Sequence, residues 1–431
     1  MEAGKTRKLL VISYYWPPTG GSGVQRWVKF TKYLSRMGWD CTVYTPENPE
    51  QLARDESLLS EVPAEVEVIK RPIIEPYNLY RRLFKPSGKG AGLNPLNAQK
   101  KSFAQRLAVA LRGNLFVPDP RAAWVAPSVR FLSEWLRQHP VDVVVTTGPP
   151  HSMHLIGKGL KRRTGVRWIA DFRDPWTEMF SFKHLGLLPW VEARHRRLEQ
   201  GVLDGADAVI AVSPRVRDDF AARTQTPVLL LTNGYDEEDF AGPAPERPAD
   251  RFTLVHTGLF ASDGNPLVLW DILARKCASD ELFRQQLRIL LAGKTDTEIL
   301  EALRSRGLWD NVEDLGYQEH FRTVAEQRGA SVLMLPLRRE PEYAKVLPGK
   351  IFEYLAARRP VLGIGQEDSV SAAMLRDCGA GDMFGWESVE PVRAFIDECW
   401  KKHLRGEDGP CTGEVGQYSR ISITKKLSEV L

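Results

Sequence analysis

The stretch Val346–Gly365, VLPGKIFEYLAARRPVLGIG, decides the fold. Pro348 and Gly349 mark a turn. Lys350 to Arg359 contains no breaker and repeats apolar residues at Ile351, Phe352 and Leu355, a helical spacing. Pro360 stops that helix. Val361 to Ile364 is a short apolar run, which suits a strand buried on both faces of a parallel sheet. Turn, helix and strand together place backbone N–H groups and Lys350 at the positive end of a helix, where phosphate is attracted. Glu353, one turn in and opposite the apolar stripe, is placed to accept hydrogen bonds from a pair of ribose hydroxyls. The alternative, on these residues, is an ordinary helix start with Lys350 solvated and Glu353 on the surface.

Outward from this stretch, the chain has 431 residues, enough for two or three domains. It is 43% hydrophobic and 26% charged, ordinary for a globular protein with large cores. No apolar run reaches the ~18 residues of a membrane span. The N-terminus leads straight into Tyr14, Tyr15 and Trp16 and reads as a first strand rather than a signal peptide. Five scattered cysteines, with no C-x-x-C pair, argue against a zinc site or disulfide framework and suit a reducing cytoplasm. A net charge of +4 does not imply nucleic acid. Between Lys70 and Arg112, however, ten basic residues stand against one acid, interleaved with Tyr77, Tyr80, Phe84 and Phe103. Such a segment either lies on an anionic bilayer surface or is a solvated insertion over the first sheet.

In chain order, Lys8–Tyr14 is a strand, followed by the loop Trp16–Gly23 and a helix over Val24–Met37. Strand, glycine-rich loop and helix open a Rossmann-like unit. The dinucleotide fingerprint is incomplete, because its third glycine falls at Arg26. Strands follow at Cys41–Tyr44, Val66–Ile69, Val141–Thr146, Arg167–Ala170, Ala208–Val212 and Val228–Leu231, with a helix over Pro127–Gln138. His151 sits in the Thr147–His154 loop, at the carboxyl end of a strand where open α/β sheets place their sites. Asp171, Arg173 and Asp174 crowd the end of the next strand. Such charges are costly to bury unless paired or bound. They read as an acceptor or sugar contact, or as an ion pair of Arg173 with Asp171 or Asp174. After the proline-rich linker Ala241–Asp250, strands at Phe252–His256, Leu287–Leu291, Val312–Leu315 and Val332–Leu335 alternate with helices over Pro266–Lys276, Asp296–Ser305 and His320–Gln327, which implies a second parallel sheet. Helices over Glu390–Leu404 and Ser419–Leu431 end the chain. Gly293-Lys294-Thr295 is not a P-loop, since Arg288 stands where that motif needs glycine.

Three stretches carry a resemblance: Val346–Gly365; Thr232–Phe240, similar to an N-G-x-D-x-x-x-F connector; and Ala170–Trp176, ADFRDPW. Together they resemble GT-B glycosyltransferases, in particular retaining enzymes of glycosyltransferase family 4 of the bacterial surface-polysaccharide type. The resemblance implies two Rossmann-like parallel-sheet domains facing across a cleft. Residues 1–240 would form an acceptor domain with a basic insertion at 70–112. Residues 241–250 would be a linker, 251–404 the nucleotide-sugar domain, and 405–431 a tail helix packing back on the first domain. It further implies that Glu353 holds the ribose and that Leu347, Gly349 and Lys350 hold the diphosphate. Gly258, Lys294 and Tyr317 would line the nucleotide pocket, Gly20 and Gly21 face donor and acceptor, and His151 touch the donor sugar, with Asp171 and Arg173 beside it. The family's second glutamate, eight positions before Glu353, is Lys345 here, and Glu340 and Glu342 are out of register. The family's usual Arg and Lys after the first strand of this domain are not evident, which leaves diphosphate neutralisation to Lys350, Lys345 or Lys294. The implied activity is transfer of a sugar from a nucleotide diphosphate donor to a membrane-linked glycan or lipid, with retention. A leaving phosphate oxygen would deprotonate the acceptor. No Asp-x-Asp metal site is present, so the expectation is no metal and no cofactor beyond the nucleotide-sugar substrate, in the cytoplasm or on the inner face of the cell membrane. The alternatives are another GT-B enzyme, such as a nucleotide-sugar epimerase, or a non-catalytic binding subunit.

Overall fold

The computed structural model describes residues 6–20, 22–50, 54–73, 103–243, 245, 248–407 and 411–431. They divide into two compact units, Met1–Thr232 with Thr424–Leu431, and Asn233–Ile423. Most of the basic 70–112 segment lies outside the described residues, as do Gly21 and part of the proline-rich linker. The segment's described end is the helix Phe103–Leu115.

The first unit holds seven strands: β1 (Lys8–Ile12), β2 (Asp40–Pro46), β3 (Glu67–Arg71), β4 (Val143–Gly148), β5 (Trp168–Phe172), β6 (Ala208–Ala211) and β7 (Val228–Leu230). Their order is β3-β2-β1-β4-β5-β6-β7, and every pairing is parallel. β4, VVVTTG, is buried at all six positions and β5 at all five. This is why the apolar runs show no alternation: helices cover both faces. The strand order reverses between β1 and β4. The loops at their carboxyl ends, Ser13–Gly20 and Pro149–His151, therefore flank the natural crevice of this sheet. The last residues of the chain complete the unit. Arg167 donates to the carbonyls of Leu431 and Val430, each at 2.7 Å, and Trp39 Nε1 donates to Ser428 Oγ at 2.9 Å.

The second unit repeats the scheme with β8 (Phe252–Thr257), β9 (Leu287–Ala292), β10 (Val312–Gly316), β11 (Val332–Pro336), β12 (Val361–Ile364) and β13 (Gly381–Phe384). The order is β10-β9-β8-β11-β12-β13, again all parallel. The reversal here falls between β8 and β11. The segment that decided the sequence reading folds as the helix Gly349–Ala357 and then β12. Ile351, Phe352, Tyr354 and Leu355 are buried in one core with Val361, Leu333 and Leu335. A second core, on the other face, packs Trp270, Phe283 and Trp400 against Phe252.

Candidate functional site

In the second unit, the crevice at the β8–β11 reversal is built around the start of the helix Gly349–Ala357. Pro348 is its extended N-cap and supplies no capping side chain, so the first-turn N–H groups have no side-chain acceptor of their own. Lys350 projects from the first turn. Its Nζ lies 3.0 Å from His256 Nε2, on β8, and 3.4 Å from the Leu259 carbonyl. Burial lowers the Lys350 ammonium to about 8, with Glu353 acting in the opposite direction. His256 is 1% exposed and stacks on Phe260 with ring centroids 4.0 Å apart. Burial, and then the charge of Lys350, hold it well below the ordinary histidine range, so it is a neutral imidazole.

The loops after β8 and β9 approach backbone to backbone. Gly258, at φ 82°, donates its N–H to Ala292 O at 2.8 Å, and a Cβ on Gly293 would lie 2.1 Å from the Gly258 carbonyl. Only glycine permits that approach. Lys294 on the second loop is exposed, and Tyr317, just past β10, is 81% exposed.

Glu353 is not a simple surface carboxylate. It is half-buried, and its Oε2 accepts a hydrogen bond of 2.7 Å from Nε2 of Gln327, a fully buried residue. The same Nε2 reaches Thr257 Oγ1 at 3.1 Å, and Thr257 N donates to Tyr354 Oη at 3.0 Å. The carboxylate is thus oriented from beneath. Lys345 is half-buried at the end of the turn Pro341–Lys345. Leu347 differs from expectation: its side chain is 6% exposed and belongs to the core, so only its backbone is available to a ligand.

In the first unit, Asp171 needs correction as a contact for sugar or acceptor. It is 0% exposed. Arg26, also 0% exposed, grips it through Nε at 3.2 Å and Nη2 at 3.0 Å, while Trp27 Nε1 and Thr147 Oγ1 donate at 2.8 and 2.9 Å. Arg26 stands where a dinucleotide fingerprint would have its third glycine. The buried pair that it makes is the physical reason this loop departs from that fingerprint. Arg173 pairs with neither neighbouring aspartate by a hydrogen bond. Its guanidinium donates to the carbonyls of Gly23 (2.8 Å), Gly148 (3.4 Å) and Pro149, tying the loops after β1 and β4 to the end of β5. Each of its three nitrogens thus donates to a backbone carbonyl, which uses three of its five N–H groups.

His151 stacks flat on Trp176, 4.6 Å between centroids, with its Nδ1 buried and unpartnered. Burial first, then the charges of His154, Arg173 and His195, keep it neutral. Beside Arg173, Asp174 is half-buried, and burial raises its carboxyl to about 6 although Arg173 pulls the other way. Gly20 is half-buried in the same loop cluster.

Two parallel sheets, each with its order reversed at the middle and its loops gathered at the carboxyl ends, define the class: a two-domain α/β protein with the GT-B fold. Over 98% of both chains it matches sucrose-phosphate synthase from Thermosynechococcus elongatus, at a TM-score of 0.63 and 13% identity. It matches the Anabaena HepE complex with UDP-glucose over the same share of each chain, at 0.58 and 14%. It also matches the apo lipopolysaccharide outer core galactosyltransferase WaaB over 98% of each, at 0.56 and 14%. No curated protein matches by sequence. Residues 92–239 match the model of Glycosyltransferase Family 4. The fold is thus that of the GT-B proteins, and the family 4 match covers about a third of the chain. Among the described residues, no helix is long and apolar enough to cross a membrane.

Proposed function

We propose that the protein transfers a sugar from a nucleotide diphosphate sugar to a membrane-linked glycan or lipid acceptor, with retained configuration and without a metal. The observation that carries this reading is the start of the helix Gly349–Ala357, where uncapped N–H groups, Lys350 and the oriented carboxylate of Glu353 lie within one turn. The N–H groups and Lys350 take the charge that develops on the departing diphosphate. Glu353 accepts from the ribose hydroxyls. His151, a neutral ring of the first unit with an unpartnered Nδ1, is the candidate contact for the donor sugar. The charge is met by protein donors, so the reading needs no divalent ion.

A membrane-linked acceptor is supported by an exposed strip on the first unit. Trp190 (64% exposed), Arg194 and Arg197 share one face of the helix Pro189–Leu203. Beside that helix, the loop from Leu185 to Leu188 packs against the helix Phe103–Leu115: Asn114 accepts from Leu188 N at 2.8 Å and donates to Gly186 O. An exposed indole among arginines suits an anionic interface.

A thermal-shift screen of nucleotide sugars, followed by nucleotide release with and without membrane extract, tests the function. Transfer is expected to release nucleotide only with acceptor present. Turnover of the donor without acceptor would replace the reading with epimerisation, and binding without any release would leave a binding subunit. With the donor in hand, Glu353→Ala is expected to weaken it by ~1–3 kcal/mol through lost charged hydrogen bonds, measured by calorimetry. Unchanged affinity would remove Glu353 from the ribose role.

A further inference from the structure

We propose that His256 is the positioning residue of the diphosphate-binding lysine: its Nε2 accepts a hydrogen bond from Lys350 Nζ, fixes the ammonium at the crevice, and makes donor affinity fall as pH rises. This rests on the donor reading of the helix Gly349–Ala357.

The geometry is specific. His256 is the penultimate residue of β8, a strand at the sheet's reversal point, and Lys350 enters from the helix between β11 and β12. The two are 94 residues apart in sequence and 3.0 Å apart at Nζ and Nε2. The imidazole is locked by burial and by Phe260 stacked at 4.0 Å. A neutral ring with a lysine N–H directed at Nε2 presents a lone pair there, which places its own proton on Nδ1. The second contact of the ammonium is the Leu259 carbonyl at 3.4 Å. Both partners are neutral acceptors. They direct the cation without neutralising it, and among the described residues no carboxylate lies within ion-pair distance of Nζ. An ammonium has three donors, so this arrangement commits two to the protein and keeps one for an anionic oxygen.

Two titratable groups set the behaviour of Lys350: His256 on β8, which stays neutral, and Glu353 on its own helix, which favours the charged form. Tyr354, on the same helix, is held at Thr257, and burial pushes it to about 12. Lys294, on the loop after β9, is exposed. The amine titrates near 8 because it is buried. Only the protonated form attracts a diphosphate. Affinity is therefore level below this value and falls above it, by up to about tenfold per pH unit, until the higher value of the complex is reached. Binding near pH 8 to 9 takes up a proton.

The test is titration calorimetry of the full chain with UDP, ADP and GDP from pH 7 to 10, above the ligands' own phosphate ionisation, in two buffers of different ionisation heat. For whichever diphosphate binds, the expected wild-type result is a break in affinity near pH 8 with proton uptake above it. Lys350→Met is expected to bind weakly, with no break. His256→Leu, which lacks the acceptor, is expected to move the break to lower pH and to raise the donor KM more than it lowers kcat. His256→Gln keeps an acceptor and is expected to restore both, which covers a leucine variant that fails to fold. A diphosphate that binds wild type with a break that Lys350→Met abolishes but His256→Leu leaves unmoved overturns the positioning role and leaves the donor reading standing. If none of the three diphosphates binds wild type at any pH, the donor reading fails, and the role of His256 fails with it.

Discussion

Asp171→Ala is expected to lower the stability of the first unit by about 3–5 kcal/mol, because it strands a buried guanidinium. Arg26 and Asp171 are both wholly inaccessible and 3.0 Å apart. The carboxylate also accepts from Trp27 and Thr147, while Arg26 additionally donates to the carbonyls of Thr232 (2.7 Å) and Leu231 (2.9 Å). Removal of the carboxylate takes away the countercharge that Asp171 supplies to Arg26. Burial pushes the Asp171 carboxyl up, yet the charge of Arg26 and the donated hydrogen bonds outweigh it and hold the group below the usual carboxylate range. The sign follows from that depression. The stabilisation is full above the unfolded value near 4 and is lost as pH falls through the lower folded value. Urea unfolding at neutral pH measures the loss. Arg26→Met with Asp171→Leu is expected to recover much of it, since a buried pair replaced by apolar groups of similar volume is often neutral. A loss under about 1 kcal/mol for Asp171→Ala would mean that water reaches the pair, and the sealed arrangement would be wrong.

The same pair marks where sequence reasoning stops. Strands buried on both faces leave continuous apolar runs, so VDVVVT and VLGI were readable from composition alone. β13, GDMF, was not. It is four residues long, at the sheet edge and half-exposed, so it lacks such a run. The helix Ser152–Thr164 was also missed, because its lysine- and arginine-rich end dilutes the apolar stripe. Charge at the end of β5 was visible, but its partner was not. Arg173 lies two residues from Asp171, whereas Arg26 lies 145 away, and only the parallel pairing of β5 beside β4, with the first helix laid over them, brings Arg26 close. Gln327 beneath Glu353, and His256 beside Lys350, were hidden for the same reason. A glutamine in a polar helix and a histidine ending a strand carry no local signal. Their roles exist only once β8, β11 and the following helix are adjacent.

Lys350→Met is expected to reduce kcat/KM for the donor by about 10²-fold or more, the scale of losing one preorganised donor to a developing charge. Three lysines were candidates for neutralising the diphosphate, and their surroundings separate them. Lys294 is exposed, so its field is screened by water and salt and the ion pairs open to it are worth little. Lys345 is half-buried five residues earlier, on the turn Pro341–Lys345 rather than in the helix's first turn. Lys350 is held between His256 and the Leu259 carbonyl, beside the uncapped N–H groups of its own helix. Lys350 is part-buried there, and a charge acts at lower effective dielectric than on the open surface. The ordering cost of the side chain is already met in the folded protein, so the lysine needs little reorganisation as the sugar–phosphate bond breaks. The loss is therefore expected in kcat as well as in KM, because the charge on the leaving oxygen grows toward the transition state. Lys350→Arg is not expected to rescue fully, since a planar fork does not fit a site shaped for a point charge between two acceptors. Lys294→Met should cost only a few-fold by the same assay, nucleotide release with membrane extract as acceptor source. If the two results came out reversed, with Lys294→Met the inactive variant, the diphosphate would have to lie at the loop after β9. The helix Gly349–Ala357 would then be a structural element of the core that holds Val361, Leu333 and Leu335.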